Sequence, residues 1–204
     1  MLSRRKWPLA FLIAQLMAIS YVAAFSSQVP EATEQEIRVR MLTNQGEVLL
    51  ALYPQQAPIT VENFLTYIRE DFYRGTIFHR IIDNFMIQGG GFTQTFEQKP
   101  TRSAILNEAN NQQPNVRGSL AMARLSPPHS ATSQFYINLV DNPGLNYRSS
   151  TNQGWGYCVF GRVIAGMSVV DKIGKMPTRA MGPFSADYPI QPVIILKMEV
   201  LTNS

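Results

Sequence analysis

FHRIIDNFMIQGGG, Phe78 to Gly91, poses a physical problem. Two apolar runs carry groups that a protein interior penalises: His79 and Arg80 interrupt the first, and Gln88 with three glycines closes the second. Burying an unpaired guanidinium costs several kcal/mol. Arg80 therefore stands at a surface or in a site.

Working outward, Ile37 to Leu42 and Glu47 to Leu52 flank Thr43-Asn-Gln-Gly46, a turn of residues that tolerate unusual dihedrals, and together they predict a β-hairpin. Pro58 to Arg69 puts Val61, Phe64, Leu65 and Ile68 on one helical face, with Thr60 as the expected N-cap and Asn63 three residues on. Short β segments are expected at Thr76 to Ile82, Phe85 to Gln88, Ser119 to Ala123, Gln134 to Val140, Tyr157 to Val163 and Val193 to Val200. A second helix is expected over Met167 to Ile173. Many short strands, two modest helices and no regular β-α alternation predict a mainly β protein, a closed antiparallel β-barrel capped by two helices.

The first two dozen residues read differently. Arg4, Arg5 and Lys6 precede an apolar stretch from Trp7 to Phe25, and small residues follow, which is the layout of a secretory signal over residues 1–24. Val22-Ala23-Ala24 offers a cleavage site, and Ala24-Phe25-Ser26 does nearly as well. An uncleaved membrane anchor is the alternative, since the run approaches the ~20 apolar residues that span a bilayer. Residues 25–35 read as a linker, and 36–204 as the domain. The expected location is periplasmic or secreted, or inner-membrane anchored if the segment is kept.

The formal net charge is +4 over 204 residues, and three of the cations lie in residues 1–24, which hold no acid. The remaining +1 leaves no basic patch for nucleic acid. Cys158 is the only cysteine and reads as a small buried hydrophobe. His129, in Ser126-Pro-Pro-His-Ser130, has no cysteine or carboxylate at ligand spacing, so no metal is expected. Ser130 and Ser133 lack a nucleophile-elbow context. Gly89 to Gly91 match no phosphate-binding pattern and are expected to turn the backbone away from a groove.

The motifs FHRII, FMIQGGGF, LAMAR, SQFYI and GYCVFGRV, in this order, resemble those of the cyclophilins, which are peptidyl-prolyl cis/trans isomerases. NEANN, RGSLAMAR and SATSQF resemble most the exported bacterial members, and the resemblance covers about Ile37 to Leu201. It implies an eight-stranded barrel, no cofactor, and proline-containing peptides and unfolded proteins as partners of a monomer. It also implies Arg80 as the catalytic residue, with Gln88 holding it by accepting one of its N–H groups. Phe85 and Met86 match pocket residues.

In SQFYI, strand alternation puts Gln134 and Tyr136 on one face and Phe135 and Ile137 on the other. The family's pocket phenylalanine falls on Tyr136, whose hydroxyl then needs a partner. Ala123 and Arg124 match the strand edge that holds substrate backbone, with Arg124 standing where an asparagine is usual. Leu145 and Tyr157 match further wall positions, and His79 reads as structural. Gly144 stands where cyclosporin-sensitive relatives carry tryptophan, so weak cyclosporin binding is expected unless Trp155 folds over the groove. Two rival functions are a proline-binding module or chaperone with little catalysis, and a barrel carrying a small apolar ligand.

Overall fold

A computed structural model describes residues 36–202; the expected leader and linker, residues 1–35, lie outside the described residues. Strands β1 (Ile37–Thr43) and β2 (Gly46–Leu52) form the expected hairpin, and helix α1 spans Pro58–Arg69. Next come β3 (Thr76–Ile82), β4 (Met86–Thr93), β5 (Ser119–Met122) and β6 (Phe135–Asn138). The chain continues through β7 (Val159–Ala165), helix α2 (Met167–Gly174), β8 (Thr178–Met181), β9 (Phe184–Pro189) and β10 (Val193–Leu201). Eight strands close an antiparallel barrel in the order β1-β10-β3-β4-β6-β5-β7-β2. Strands β8 and β9 form a separate two-stranded sheet that the sequence reading did not anticipate.

Alternation fills the barrel. Val39, Met41, Val48, Leu50, Phe78, Ile87, Leu120, Phe135, Ile137, Phe160 and Val193 are buried in one core with Phe64 of α1. Phe64 lies within 5.5 Å of the ring centroids of Tyr73, Phe135 and Phe160, with the latter two edge-on. Edge-on rings add favourable quadrupole contacts to the burial of apolar area that holds the helix in place.

Two local expectations need correction. Thr60 is not the N-cap of α1: Ala57 holds that position without a side-chain cap bond. Glu108 instead caps from a distant loop, accepting from the Ile59 N–H at 3.1 Å, the Thr60 N–H at 2.8 Å and the Thr60 hydroxyl at 2.7 Å. A carboxylate serves well there because it meets orphan N–H donors at the positive end of the helix dipole.

The second correction concerns Gly89 to Gly91, which do not turn the chain away: β4 runs on through them to Thr93. Gly90 has φ +84°, and a Cβ on it would lie 2.8 Å from the Phe135 ring and 2.9 Å from that of Tyr73. A Cβ on Gly91 would lie 2.6 Å from the Gln134 side chain. The glycines let core rings and a site glutamine lie directly on the strand.

Candidate active site

The pairing of β3 with β4 explains the polar interruption. Phe78 pairs with Gly89 and Arg80 with Gln88, so the register slips and His79 is an extra residue on β3. Without this bulge, Arg80 would follow Phe78 into the barrel and Ile81 would face outward. With it, Phe78 and Ile81 both enter the core while His79 and Arg80 share the outer face. Arg80 is the exposed residue in an otherwise largely buried strand, and its side chain is 46% accessible.

On that outer face a groove is lined by Arg80, Phe85, Met86, Gln88, Ala123, Arg124, Tyr136, Leu145 and Tyr157. These are the residues named from the sequence with one exception. Gln134 lies beside the groove, in an adjoining depression bordered also by Gln88, Ala123 and Arg124. Met86, Tyr136, Ala121 and Val159 form a buried floor, on which Phe85, Ala123, Leu145 and Tyr157 pack as partly exposed walls. Phe135 and Ile137 point into the barrel core, as the alternation requires.

The Tyr136 hydroxyl donates to Asn115 Oδ1 at 2.7 Å. Asn138 donates to the same oxygen at 3.2 Å and to Ser119 Oγ at 2.8 Å, and Asn142 donates to Asn138 Oδ1 at 2.7 Å. Asn142 also donates to the Phe85 carbonyl at 3.0 Å, so the network reaches the groove wall. Burial pushes the Tyr136 phenol well above its usual range, which keeps it a neutral donor. Asn115 escaped the sequence reading because it sits in an aperiodic polar loop; the unsatisfied tyrosine hydroxyl was the signal that such a partner exists.

The polar edge differs from expectation. Gln88 does not hold Arg80: its Nε2 donates to Gln134 Oε1 at 3.0 Å. The charged partner of Arg80 is Asp187 on β9, with Nε and Oδ2 3.6 Å apart. Asp187 was missed because its strand was missed. Gly182-Pro183 is a turn signal between β8 and β9, but both strands are largely exposed and show no apolar alternation.

Arg124 commits part of its donor fork to backbone carbonyls and leaves Nη2 for a substrate. Its Nε donates to the Gly156 carbonyl at 2.9 Å, and Nη1 donates to the carbonyls of Leu125 and Ser126. Its guanidinium lies 4.7 Å over the Tyr157 ring, so it also builds the groove wall.

The remaining polar residues are structural. His79 is 5% exposed, between Phe92 edge-on and Phe184 stacked at 5.2 Å. Burial holds its imidazole down to about 4, hence neutral. His129 Nδ1 accepts from the Asn107 N–H at 3.0 Å. Trp155 packs edge-on against His129 and Tyr147 and donates to the Asn107 carbonyl at 3.0 Å, away from the groove lining. Burial pushes the Cys158 thiol up to about 12, so it stays protonated. Among the described residues no group of His, Cys, Asp or Glu has the arrangement to hold a metal.

Comparison with known proteins agrees with this geometry. The family described as cyclophilin type peptidyl-prolyl cis-trans isomerase/CLD matches residues 38–200. The chain is 53% identical over 158 residues to peptidyl-prolyl cis-trans isomerase B of Escherichia coli, covering 78% of this chain and 96% of that one. It is 50% identical to a peptidyl-prolyl cis-trans isomerase of Streptomyces antibioticus, over 80% of this chain and 98% of that one. A cyclophilin-type isomerase of Cryptosporidium parvum, solved in the presence of the dipeptide Ala-Pro, superposes with a TM-score of 0.68 at 30% identity, covering 81% of this chain and 99% of that one. With the barrel, the groove and the ordered motifs on one chain, this protein belongs to the cyclophilin-type peptidyl-prolyl cis-trans isomerases.

Proposed function

We propose that the chain accelerates rotation about X-Pro bonds by stabilising the twisted transition state with Arg80. The barrier of ~18 to 20 kcal/mol reflects lost amide resonance, so no nucleophile is required. On twisting, the prolyl nitrogen becomes pyramidal and its lone pair becomes a hydrogen-bond acceptor, which the planar amide nitrogen is not. A donor aimed there binds the transition state in preference to either ground state. A guanidinium suits the task because it is always charged and presents a rigid fork of donors.

The observation that carries this reading is the bulge at His79, which brings Arg80 out beside an apolar floor of Met86 and Tyr136. That floor and the Phe85 wall suit a proline ring. Gln88 and Gln134, bonded to each other, form the polar edge along which substrate backbone lies.

The same reading extends to clients: unfolded or exported proteins, met outside the cytoplasm. Its support is the leader layout of Arg4, Arg5 and Lys6 before an apolar stretch. The N-terminal residue of the protein recovered from cells tests whether the leader is removed or kept as an anchor.

The decisive experiment is cis-to-trans relaxation of a short X-Pro peptide with and without the protein. A concentration-dependent rate increase is expected. Peptide binding without acceleration would instead favour a proline-binding module.

A further inference from the structure

Arg80 is half exposed and, among the described residues, forms no side-chain hydrogen bond; its charged neighbour is Asp187. Asp187 occupies the left-handed region at φ 62°, in the irregular part of β9 where the register against β8 slips between Arg179 and Met181. An L residue stays in that region only where its surroundings over-determine it. The surroundings are the aromatic anchors of the hairpin. Phe184 stacks on His79, and Tyr188, 1% exposed, stacks on Phe184 at 5.5 Å and 10°. Phe96 meets both rings edge-on. The hairpin is thus keyed to the bulge residue His79, and the slip between its anchors turns a carboxylate toward the next residue, Arg80.

Resting on the isomerase reading above, we propose that Asp187 is a positioning residue for Arg80. A long, half-exposed arginine has several rotamers to choose among, and a carboxylate facing Nε restrains the stem. At 3.6 Å the contact is longer than a hydrogen bond, and its closest approach is to Nε rather than to the terminal nitrogens. Asp187 therefore acts on how often the fork is correctly aimed, which is felt in kcat more than in KM.

The test compares Asp187→Asn, which tolerates the left-handed backbone, with Asp187→Gly, which relaxes it; both remove the charge. Each is expected to lower kcat about three- to five-fold with KM changed less than about two-fold, the size of a partly exposed ion pair. In an Arg80→Ala background the same substitutions should change the residual rate by less than about two-fold. The Arg80 Nε–H resonance should move in Asp187→Asn. Unchanged kcat in both single variants, or an equal loss in the Arg80→Ala background, overturns the positioning role. If the parent is active and Arg80→Ala lowers its rate while the Asp187 variants do not, the isomerase reading stands and only this inference falls. A parent that fails to accelerate the peptide overturns both.

Discussion

The two sides of the groove are built by opposite means. The Tyr136 side is buried and cross-bonded, its hydroxyl fixed by Asn115 and Asn115 fixed by Asn138 and Asn146. The Arg80 side is half exposed, raised by a bulge and met by one long ion pair from a surface hairpin. A proline ring asks for a dry wall of constant shape, whereas a transition-state donor must stay near water until the substrate arrives. Rigidity is concentrated where shape matters, and charge is left where desolvating it would be costly.

Four experiments probe this contrast, from the largest expected effect to the smallest. Arg80→Ala should lower kcat/KM by about two orders of magnitude, ~3 kcal/mol, with circular dichroism unchanged, because it deletes a donor from an exposed position. A folded Arg80→Ala protein working at the parental rate would sink the mechanism.

Acid should loosen the hairpin side. His79 titrates near 4 when folded and near 6.5 when unfolded, so the unfolded chain binds the extra proton between those values. Stability due to this group is then fully present above about pH 6.5 and falls as pH drops toward 4, by up to about 3 kcal/mol. The Tm of His79→Leu, scanned from pH 7 to 4.5, should decline much less than that of the parent.

On the buried side, Asn115→Ala strands the Tyr136 hydroxyl and the Asn138 amide, and should cost about 2 kcal/mol in urea unfolding. Adding Tyr136→Phe should recover part of that loss, since it removes one stranded group; an additive further loss would mean that the hydroxyl has another partner.

The smallest effect concerns the open mouth of the groove. A Cβ on Gly144 meets nothing within 4 Å, and Trp155 points elsewhere, so among the described residues none supplies an indole to cyclosporin. Gly144→Trp should tighten inhibition about 30-fold, ~2 kcal/mol, and Trp155→Ala should not weaken it. Loss of tight parental inhibition in Trp155→Ala would reverse this view.

The legibility of the sequence follows the same contrast. Strands that bury one face, such as β1, announce themselves by alternation, and the ordered motifs locate the groove residues. What stayed hidden depends on partners brought together from afar. The Glu108 cap, the Asn115 acceptor and the Asp187 carboxylate all lie in polar, aperiodic stretches whose role is set by what folds against them. The swap of partners for Gln88, from Arg80 to Gln134, has the same origin: cross-strand neighbours are adjacent in register, but side-chain direction across a bulge is not written in spacing alone.

The closure of the barrel has a consequence for how the chain is made. Strand β1, near the start of the domain, pairs along its length with β10, near its end. A ribosome delivering the chain from its N-terminus releases the β1–β2 hairpin long before the strand that completes it. Until Val193 to Leu201 emerge, the edge of β1 that pairs with β10 has no native partner. Pairings of such large sequence separation fold slowly, because the loop must be closed before any contact rewards it. The nine-residue β10 is therefore the latch, the strand whose arrival closes the barrel.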